Sequence, residues 1–389
     1  VVNFNQLYMK AAGLGETTIN DVQTFAIILP FALKFLFGPI SDRFNPLGLG
    51  HRRPFMALGI LMQSVGLMGL ALINPGQHVG GFATVALITV LGLAMYDTCC
   101  DGLVVDVTPE PDRPRVQAVL MVSRFVAATV LTFAFGQILD ITGIGPGKSG
   151  WILFSCAALG VPPLAMALLV RERQENQPGE RFDWHALQAL IRPGGLALIG
   201  FGLLYALPAW GVEINLPLFY ESQGFHESDV GTCGAARLSG RALGAILLPL
   251  ATRVLGRRGV IVAGLLGLIG STTAHAVVGP GDVGTAGGLG VLFGLANGWN
   301  DVLLATLAMG AADPRLAAST FALFMAVTNL NILGGSLFGR GLVALGGSYP
   351  PLFLLAGLMM LPALVLVGPL ARLAPQPPDA KDRPDEFSP

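Results

Sequence analysis

Apolar residues in this chain come in long unbroken runs. What interrupts them is glycine, proline and arginine, not the alternation of a half-buried strand or the polar stripe of a soluble helix. A helix that crosses a bilayer needs roughly 20 consecutive, mostly apolar residues. Runs of that order lie near 22–44, 53–73, 83–106, 115–140, 150–170, 195–220, 228–254, 259–278, 284–310, 316–343 and 350–373. The pattern predicts an all-α integral membrane protein with these spans, preceded by a shorter piece from Val1 to Met9. Between 171 and 194 the pattern stops, and Phe182, Trp184, Leu187, Leu190 and Ile191 recur at helical spacing in a polar stretch. That spacing predicts an amphipathic helix on the membrane face, linking two blocks of spans so that they can rock. The Pro-, Asp- and Lys-containing tail from Pro375 is expected to be disordered.

Charge orients the spans. Arg43, Arg52, Arg53, Arg113, Arg115, Arg171, Arg173, Arg181, Arg192, Arg253, Arg257, Arg258, Arg315, Arg372, Lys381 and Arg383 all land on one side, and the opposite loops hold little beyond Lys10 and Lys148. By the positive-inside rule the arginine-rich side is cytoplasmic. An internal repeat gives the domain plan. Asp101 and Asp301 are 200 apart, as are Pro114-Arg115 and Pro314-Arg315, Ala118 and Ala318, and Asp97 and Asn297. Asp42-Arg43 likewise matches Thr252-Arg253. Two similar halves are implied: residues 1–170, a linker at 171–194, residues 195–374, and a cytoplasmic tail at 375–389. The span near 195–220 has its repeat partner starting about 16 residues before Val1, so the chain is expected to begin inside its first helix, with Val1 to Met9 as that helix's outer end.

Composition narrows the function. The chain has 389 residues, 53% hydrophobic and 12% charged, against about 25% charged in soluble domains. A net charge of −1 argues against a nucleic-acid partner. Cys99, Cys100, Cys156 and Cys233 all sit in apolar runs and are expected to be buried small hydrophobes, with no disulfide framework or metal spacing. No phosphate-binding loop, metal cluster or nucleophile–base arrangement is visible, so no enzyme, cofactor or metal is expected.

Ionisable side chains inside spans are costly, and each is a functional hypothesis by default. Asp97 and Asp101 are four apart and share a helix face. At about 1.5 Å per residue, a helix starting near Arg115 brings Arg124 to the depth of Asp97, so an Asp97–Arg124 pair is expected. It is either a proton or substrate-carboxylate switch or a permanent structural ion pair. Asn297 and Phe324 stand at these places in the other half, which shows that the pair is not needed to build a half. Lys34 lies two turns above Asp42 and is either a cavity cation for an anion or a partner of Asp97 or Asp101. Arg237 and Arg241 share a face; they are either unneutralised cavity cations for an anion or partners of Glu213. Arg340 is expected to snorkel. Asn297, Trp299, Asn300, Thr328, Asn329 and Asn331 can orient a polar ligand or hydrogen-bond helices together. Tyr205 and Trp210 either line the cavity or face lipid. Nearer the cytoplasm, Asp101 and Asp106 are expected to latch an inner gate to Arg43 or Arg53, and Asp301 to do the same with Arg253 or Arg257.

The stretch Leu29 to Pro54 ties these readings together. Gly38, Asp42 and Arg43, followed by a Gly/Pro-rich link and then His51-Arg52-Arg53-Pro54, form a tight basic turn between two spans. Gly38 permits close backbone approach, and Asp42 is set to accept from arginines across the turn. This spacing resembles the Gly-x-x-x-Asp-Arg-x-Gly-Arg-Arg signature between helices 2 and 3 of major facilitator transporters, with a longer link from Phe44 to His51. The Leu29–Arg43 run and Asp97-x-x-x-Asp101-Gly-x-x-x-Asp106-Val-x-Pro-Glu resemble the muropeptide permease (AmpG-like), acetyl-coenzyme A transporter and folate–biopterin transporter branches. The resemblance implies a major facilitator fold of two pseudo-symmetric six-helix bundles around a central cavity, alternating access and proton coupling, with Asp97 and Lys34 as the branch's embedded charges. Asp112-Arg113-Pro114-Arg115-Val116 is also similar to the pigment-associated PucC branch.

Two functions are therefore carried. The first is a secondary transporter of a small anionic or zwitterionic metabolite, driven by protons, in a bacterial inner membrane. Its proton-coupling residues would be Asp97, Arg124, Lys34 and Glu213. Its substrate ligands would be Lys34, Arg124, Arg237, Arg241, Asn297, Trp299, Asn300 and Asn329, and its gate Gly38, Asp42, Arg43, Arg52, Arg53, Asp101, Asp106, Arg253, Arg257 and Asp301. The second is a non-transporting assembly or scaffold subunit that binds pigment or a membrane partner.

Overall fold

The computed structural model describes residues 2–45, 50–107, 113–169, 187–311 and 324–373. Among these the regular structure is helical: α1 (Val2–Ala11), α2 (Glu16–Arg43), α3 (Arg53–Leu72), α4 (Val79–Val107), α5 (Arg113–Thr142), α6 (Gly150–Ala158), α7 (Val161–Leu169), α8 (Leu187–Ile191), α9 (Pro193–Ser222), α10 (Glu227–Ala274) and α11 (Val283–Ala311). Helices Gly334–Ala344 and Tyr349–Met360 follow. Eight of the described helical segments are long and apolar enough to cross a membrane, so the protein is a multi-pass integral membrane protein.

Three of the expected runs depart in detail, and a fourth is described only in part. The runs at 228–254 and 259–278 form one helical segment, α10, which at about 1.5 Å per residue is far longer than the roughly 30 Å hydrocarbon core. It crosses twice because Gly256 adopts φ 64°, ψ 178°, a conformation open essentially to glycine. The run at 150–170 is divided between α6 and α7 at Leu159-Gly160, ahead of Pro162 and Pro163, which lack the amide hydrogens a continuous helix needs. Of the run at 316–343, residues 324–343 are described and the earlier ones are not. Phe182 and Trp184 of the expected linker helix and the tail from Pro375 also lie outside the described residues; the neighbouring stretch shows the short helix α8.

Glycine sets the closest helix approach. α10 and α11 run parallel with Gly240 and Gly244 facing Gly294 and Gly298. A methyl group on Gly294 would lie 1.9 Å from the carbonyl oxygen of Arg237, and one on Gly244 1.9 Å from that of Leu295. No side chain fits between these backbones.

The polar contacts joining the two halves gather at the outer ends. Asn20 of α2 donates to Asn215 of α9 at 2.8 Å, both side chains fully buried. Lys10 pairs with Glu221 and, at 3.6 Å, with Glu16, and Tyr349 donates to Glu16 at 3.0 Å. Gln137 of α5 reaches the Ser228 carbonyl of α10 at 3.5 Å. Arg340, expected only to snorkel, lies 3.6 Å from Asp21 and stays largely exposed.

Candidate functional site

Two ion clusters, one per half, hold the embedded charges. In the first, α2 supplies Lys34, α4 supplies Asp97 and Asp101, and α5 supplies Arg124. Lys34 Nζ donates to Asp97 Oδ2 at 2.5 Å and lies 3.9 Å from Asp101 Oδ2. Arg124 Nη2 donates to the other Asp97 oxygen, Oδ1, at 2.7 Å. Asp97 is thus gripped on both oxygens by cations from two neighbouring helices, at the depth the helix rise predicts. Its side chain is 18% exposed, whereas that of Arg124 is 57% exposed. The central carboxylate is shielded and its arginine stands at an open edge.

In the second cluster, Glu213 of α9 accepts from Arg237 and, at 2.9 Å, from Arg241 Nη1, both on α10. Arg241 also donates through Nε to Asp301 Oδ2 of α11 at 2.8 Å, with Nη2 at 2.7 Å from the same oxygen. Of the alternatives weighed for these two arginines, the Glu213 pairing is the one formed, so they are not the unneutralised cations an anion site would need. The expectation that Asp301 latches to Arg253 or Arg257 is corrected. The part of α10 before Gly256 runs parallel to α11, and Arg253 lies 12 residues beyond Arg241, about 18 Å further toward the arginine-rich end. The glycine packing fixes the register that brings Arg241 to Asp301 instead.

Each cluster holds two cations and two carboxylates, so each is close to neutral when all four are charged. The clusters approach one another at the seam between halves, where the Arg241 guanidinium lies 5.8 Å from the Phe125 ring centroid, one residue from Arg124. Sequence reasoning missed Phe125, because an aromatic residue in an apolar run carries no signal of its own.

The amide and indole residues of α11 are turned toward packing. Trp299 Nε1 donates to the Val260 carbonyl at 2.9 Å, and Asn300 Nδ2 to Gly264 and Ala296 at 2.9 and 2.8 Å. Asn297 bonds back to Phe293 at 3.1 Å. Trp299 and Asn300 therefore stitch α11 to the second half of α10, the helix-joining alternative weighed for them, while Asn300 Oδ1 is buried with no hydrogen-bond partner among the described residues. Tyr205 is buried and donates to the Asn300 carbonyl at 3.3 Å. Asn329 is half-buried at the start of a short 3-10 turn, Asn329–Leu333.

At the arginine-rich end, Arg53 Nε donates to the Ala167 carbonyl at 3.3 Å and Nη2 to that of Leu168, satisfying carbonyls of the last turn of α7. The Arg52 guanidinium packs over Gly102, beside Asp101, so closely that a Cβ there would meet Nη1 at 2.2 Å. Arg253 is exposed and Arg257 half-buried. Gly38 lies within α2, and the side chains of Asp42, Arg43 and Asp106 lie outside the described residues.

Sequence reasoning also missed a buried polar layer at the outer seam. Gln6, Asn20, Gln23 and Thr24 are all more than nine-tenths buried, and each carries a side-chain oxygen or nitrogen with no hydrogen-bond partner among the described residues. Asn20, Gln23 and Thr24 share one face of α2 against Asn215 and the glycines Gly335 and Gly339. Asn215 in the middle of an apolar run was the available signal.

Comparison with known proteins agrees with this architecture. The chain matches the Major Facilitator Superfamily over residues 1–335. It is 26% identical over 238 residues to an uncharacterized protein of Haemophilus influenzae, covering 58% of this chain and 55% of that one. It is 23% identical over 234 residues to the anhydromuropeptide permease of Escherichia coli K12, covering 56% and 46%. The matched segment thus spans about half the length of these curated relatives. Among solved structures, the nucleoside transporter NupG is similar with a TM-score of 0.70 at 14% identity, covering 96% of this chain and 94% of that one. The inward-open xylose transporter XylE of E. coli gives 0.67 at 16%, covering 97% and 91%. With two charge-bearing helical halves and a family match over most of its length, the chain belongs to the Major Facilitator Superfamily.

Proposed function

We propose that this protein is a proton-coupled secondary transporter of a bacterial inner membrane, carrying a small anionic or zwitterionic metabolite by alternating access. The observation that carries this reading is Asp97 held between Lys34 and Arg124. Protonating that carboxylate removes the charge both cations answer, leaving Lys34 near Asp101 and releasing the open-edge Arg124 to bind an anionic group of the cargo. Proton and anion then enter together, because either alone leaves the cluster with an unbalanced charge in a low-dielectric setting. The joined outer ends support a resting state closed on that side. The relative named as an anhydromuropeptide permease and the neighbour named a D-xylose-proton symporter are compatible with this scheme.

The test uses proteoliposomes containing a trapped pH dye. A thermal-shift screen of carboxylated, phosphorylated and peptide-like metabolites first supplies a ligand. Adding that ligand to wild-type vesicles is expected to acidify the lumen as cargo enters. Asp97→Asn is expected to exchange cargo down its own gradient with no proton movement. Proton-independent uptake in the wild type, unchanged in Asp97→Asn, refutes the coupling.

A further inference from the structure

At the outer end of the seam, three side chains with metal-ligating chemistry come from both halves. Asp140 lies in the last turn of α5, His226 immediately precedes α10, and Glu227 is its first residue. Their ligand atoms all lie within 4.8 Å of one another. We infer that Asp140, His226 and Glu227 form a site for a borderline divalent cation of the zinc class, which bridges the halves and holds the outer seam shut. The inference rests on the alternating-access reading for the lock, but not for the binding.

The donor set is one imidazole and two carboxylates, a combination suited to Zn2+ and its transition-metal neighbours more than to Mg2+, which keeps its waters. Zinc–ligand bonds of about 2.0–2.2 Å put ligand atoms roughly 3–3.5 Å apart. The three groups therefore need to draw in by up to about 1.3–1.8 Å; Asp140 and His226 are exposed, and His226, the capping-box residue of α10, keeps a second ring nitrogen beyond the one facing the α10 amides. The backbone beneath them is fixed: a Cβ on Gly136 would lie 2.7 Å from Gly231 Cα, and Gln137 spans to Ser228. The amino end of α10 carries about half a positive charge, which opposes a cation, but two carboxylates outweigh it. Because Asp140 belongs to one half and His226 and Glu227 to the other, parting the outer ends must break a metal bond. External zinc would act as an inhibitor that traps the outer-closed state.

The experiment uses the intact protein in nanodiscs and ZnCl2 as the probe. Isothermal titration is expected to show one saturable site, weakened about tenfold or more by Asp140→Asn and by His226→Gln, with MgCl2 giving no comparable heat. Hydrogen exchange is then followed at the ends of α5 (136–142) and α10 (226–232). Zinc is expected to slow exchange several-fold on both segments in the wild type and on neither in Asp140→Asn. Zinc heat indifferent to both substitutions overturns the site. Protection confined to α10 overturns the bridge and leaves an ion held by one half. Either result leaves proton-coupled uptake untouched, so failure here is separable from failure of the transport reading.

Discussion

If Asp97 anchors two cations at once, its removal and that of Lys34 should not add. In Asp97→Asn the cluster keeps Lys34, Arg124 and Asp101 and carries a net +1; in Lys34→Met it carries −1; in the double variant it returns to zero. The 2.5 Å contact between Lys34 and Asp97 joins two side chains that are each under a third exposed, and a charge-assisted bond of this kind contributes about 1.5–3 kcal/mol. The Arg124 bond is discounted to about 0–1 kcal/mol, because that guanidinium is 57% exposed. Asp97→Asn should therefore cost about 1.5–4 kcal/mol and Lys34→Met about 1.5–3 kcal/mol. The double variant loses the shared bond only once, so it should be about as stable as Asp97→Asn alone, a coupling of roughly 1.5–3 kcal/mol. With about 2.1 cal/mol/K of unfolding entropy per residue, a 389-residue chain loses about 1.2 °C of midpoint per kcal/mol, so Asp97→Asn should melt about 2–5 °C lower. The assay is thermal unfolding of the four proteins in one detergent at neutral pH. Additive losses, with the double variant clearly below either single one, would mean that Lys34 and Asp97 do not hold one another. The proton-release step would then have no charge to release.

Other consequences follow from the packing. Gly294→Ala drives a methyl into the Arg237 carbonyl and should cost about 1–3 kcal/mol or more, read as loss of monodisperse protein; Gly288→Ala on the same helix, with nothing within 4 Å, is the control and should purify normally. Asn20→Ala breaks the buried amide bond to Asn215, so hydrogen exchange along residues 16–24 should quicken while α3 stays unchanged; equal quickening of both would mean general loosening and not a seam. Asp282, outside the spans, accepts from the Thr285 amide at 3.0 Å, and its bonds to Thr285 hold its carboxyl below the usual carboxylate range. A depressed folded pKa gives a contribution that is present above the unfolded pKa and lost as pH falls through the folded one. Thr285 should thus exchange faster in Asp282→Ala than in wild type near neutral pH, with the difference vanishing in strong acid; a difference that persists there rejects the carboxylate as the cause.

How far the sequence carries this fold depends on the range of the interaction. Span positions are legible because twenty apolar residues have few uses besides crossing lipid, and arginines sort to one side for an equally local reason. The depth match of Asp97 and Arg124 is legible too, since a helix rises at a fixed rate from a recognisable start. Register between helices is not local. The repeat aligns Asp101 with Asp301 but does not say which cation a neighbouring helix offers, and the nearest basic turn drew Asp301 to Arg253. The four-residue glycine spacings, Gly240 with Gly244 and Gly290 with Gly294 and Gly298, contained the information that α10 and α11 lie backbone to backbone. With that spacing weighed, Arg241 faces Asp301 and Trp299 is packed against its neighbour. Once register is known, the halves offer the same device. A cation on α2 or α10, Lys34 or Arg241, meets an aspartate on α4 or α11, Asp101 or Asp301. Only the first half adds Asp97 with Arg124 at an open edge. In the proposed cycle a cargo charge entering between two neutral clusters would displace a partner already bound, and the 57% exposed Arg124 makes Asp97 the carboxylate placed to give one up.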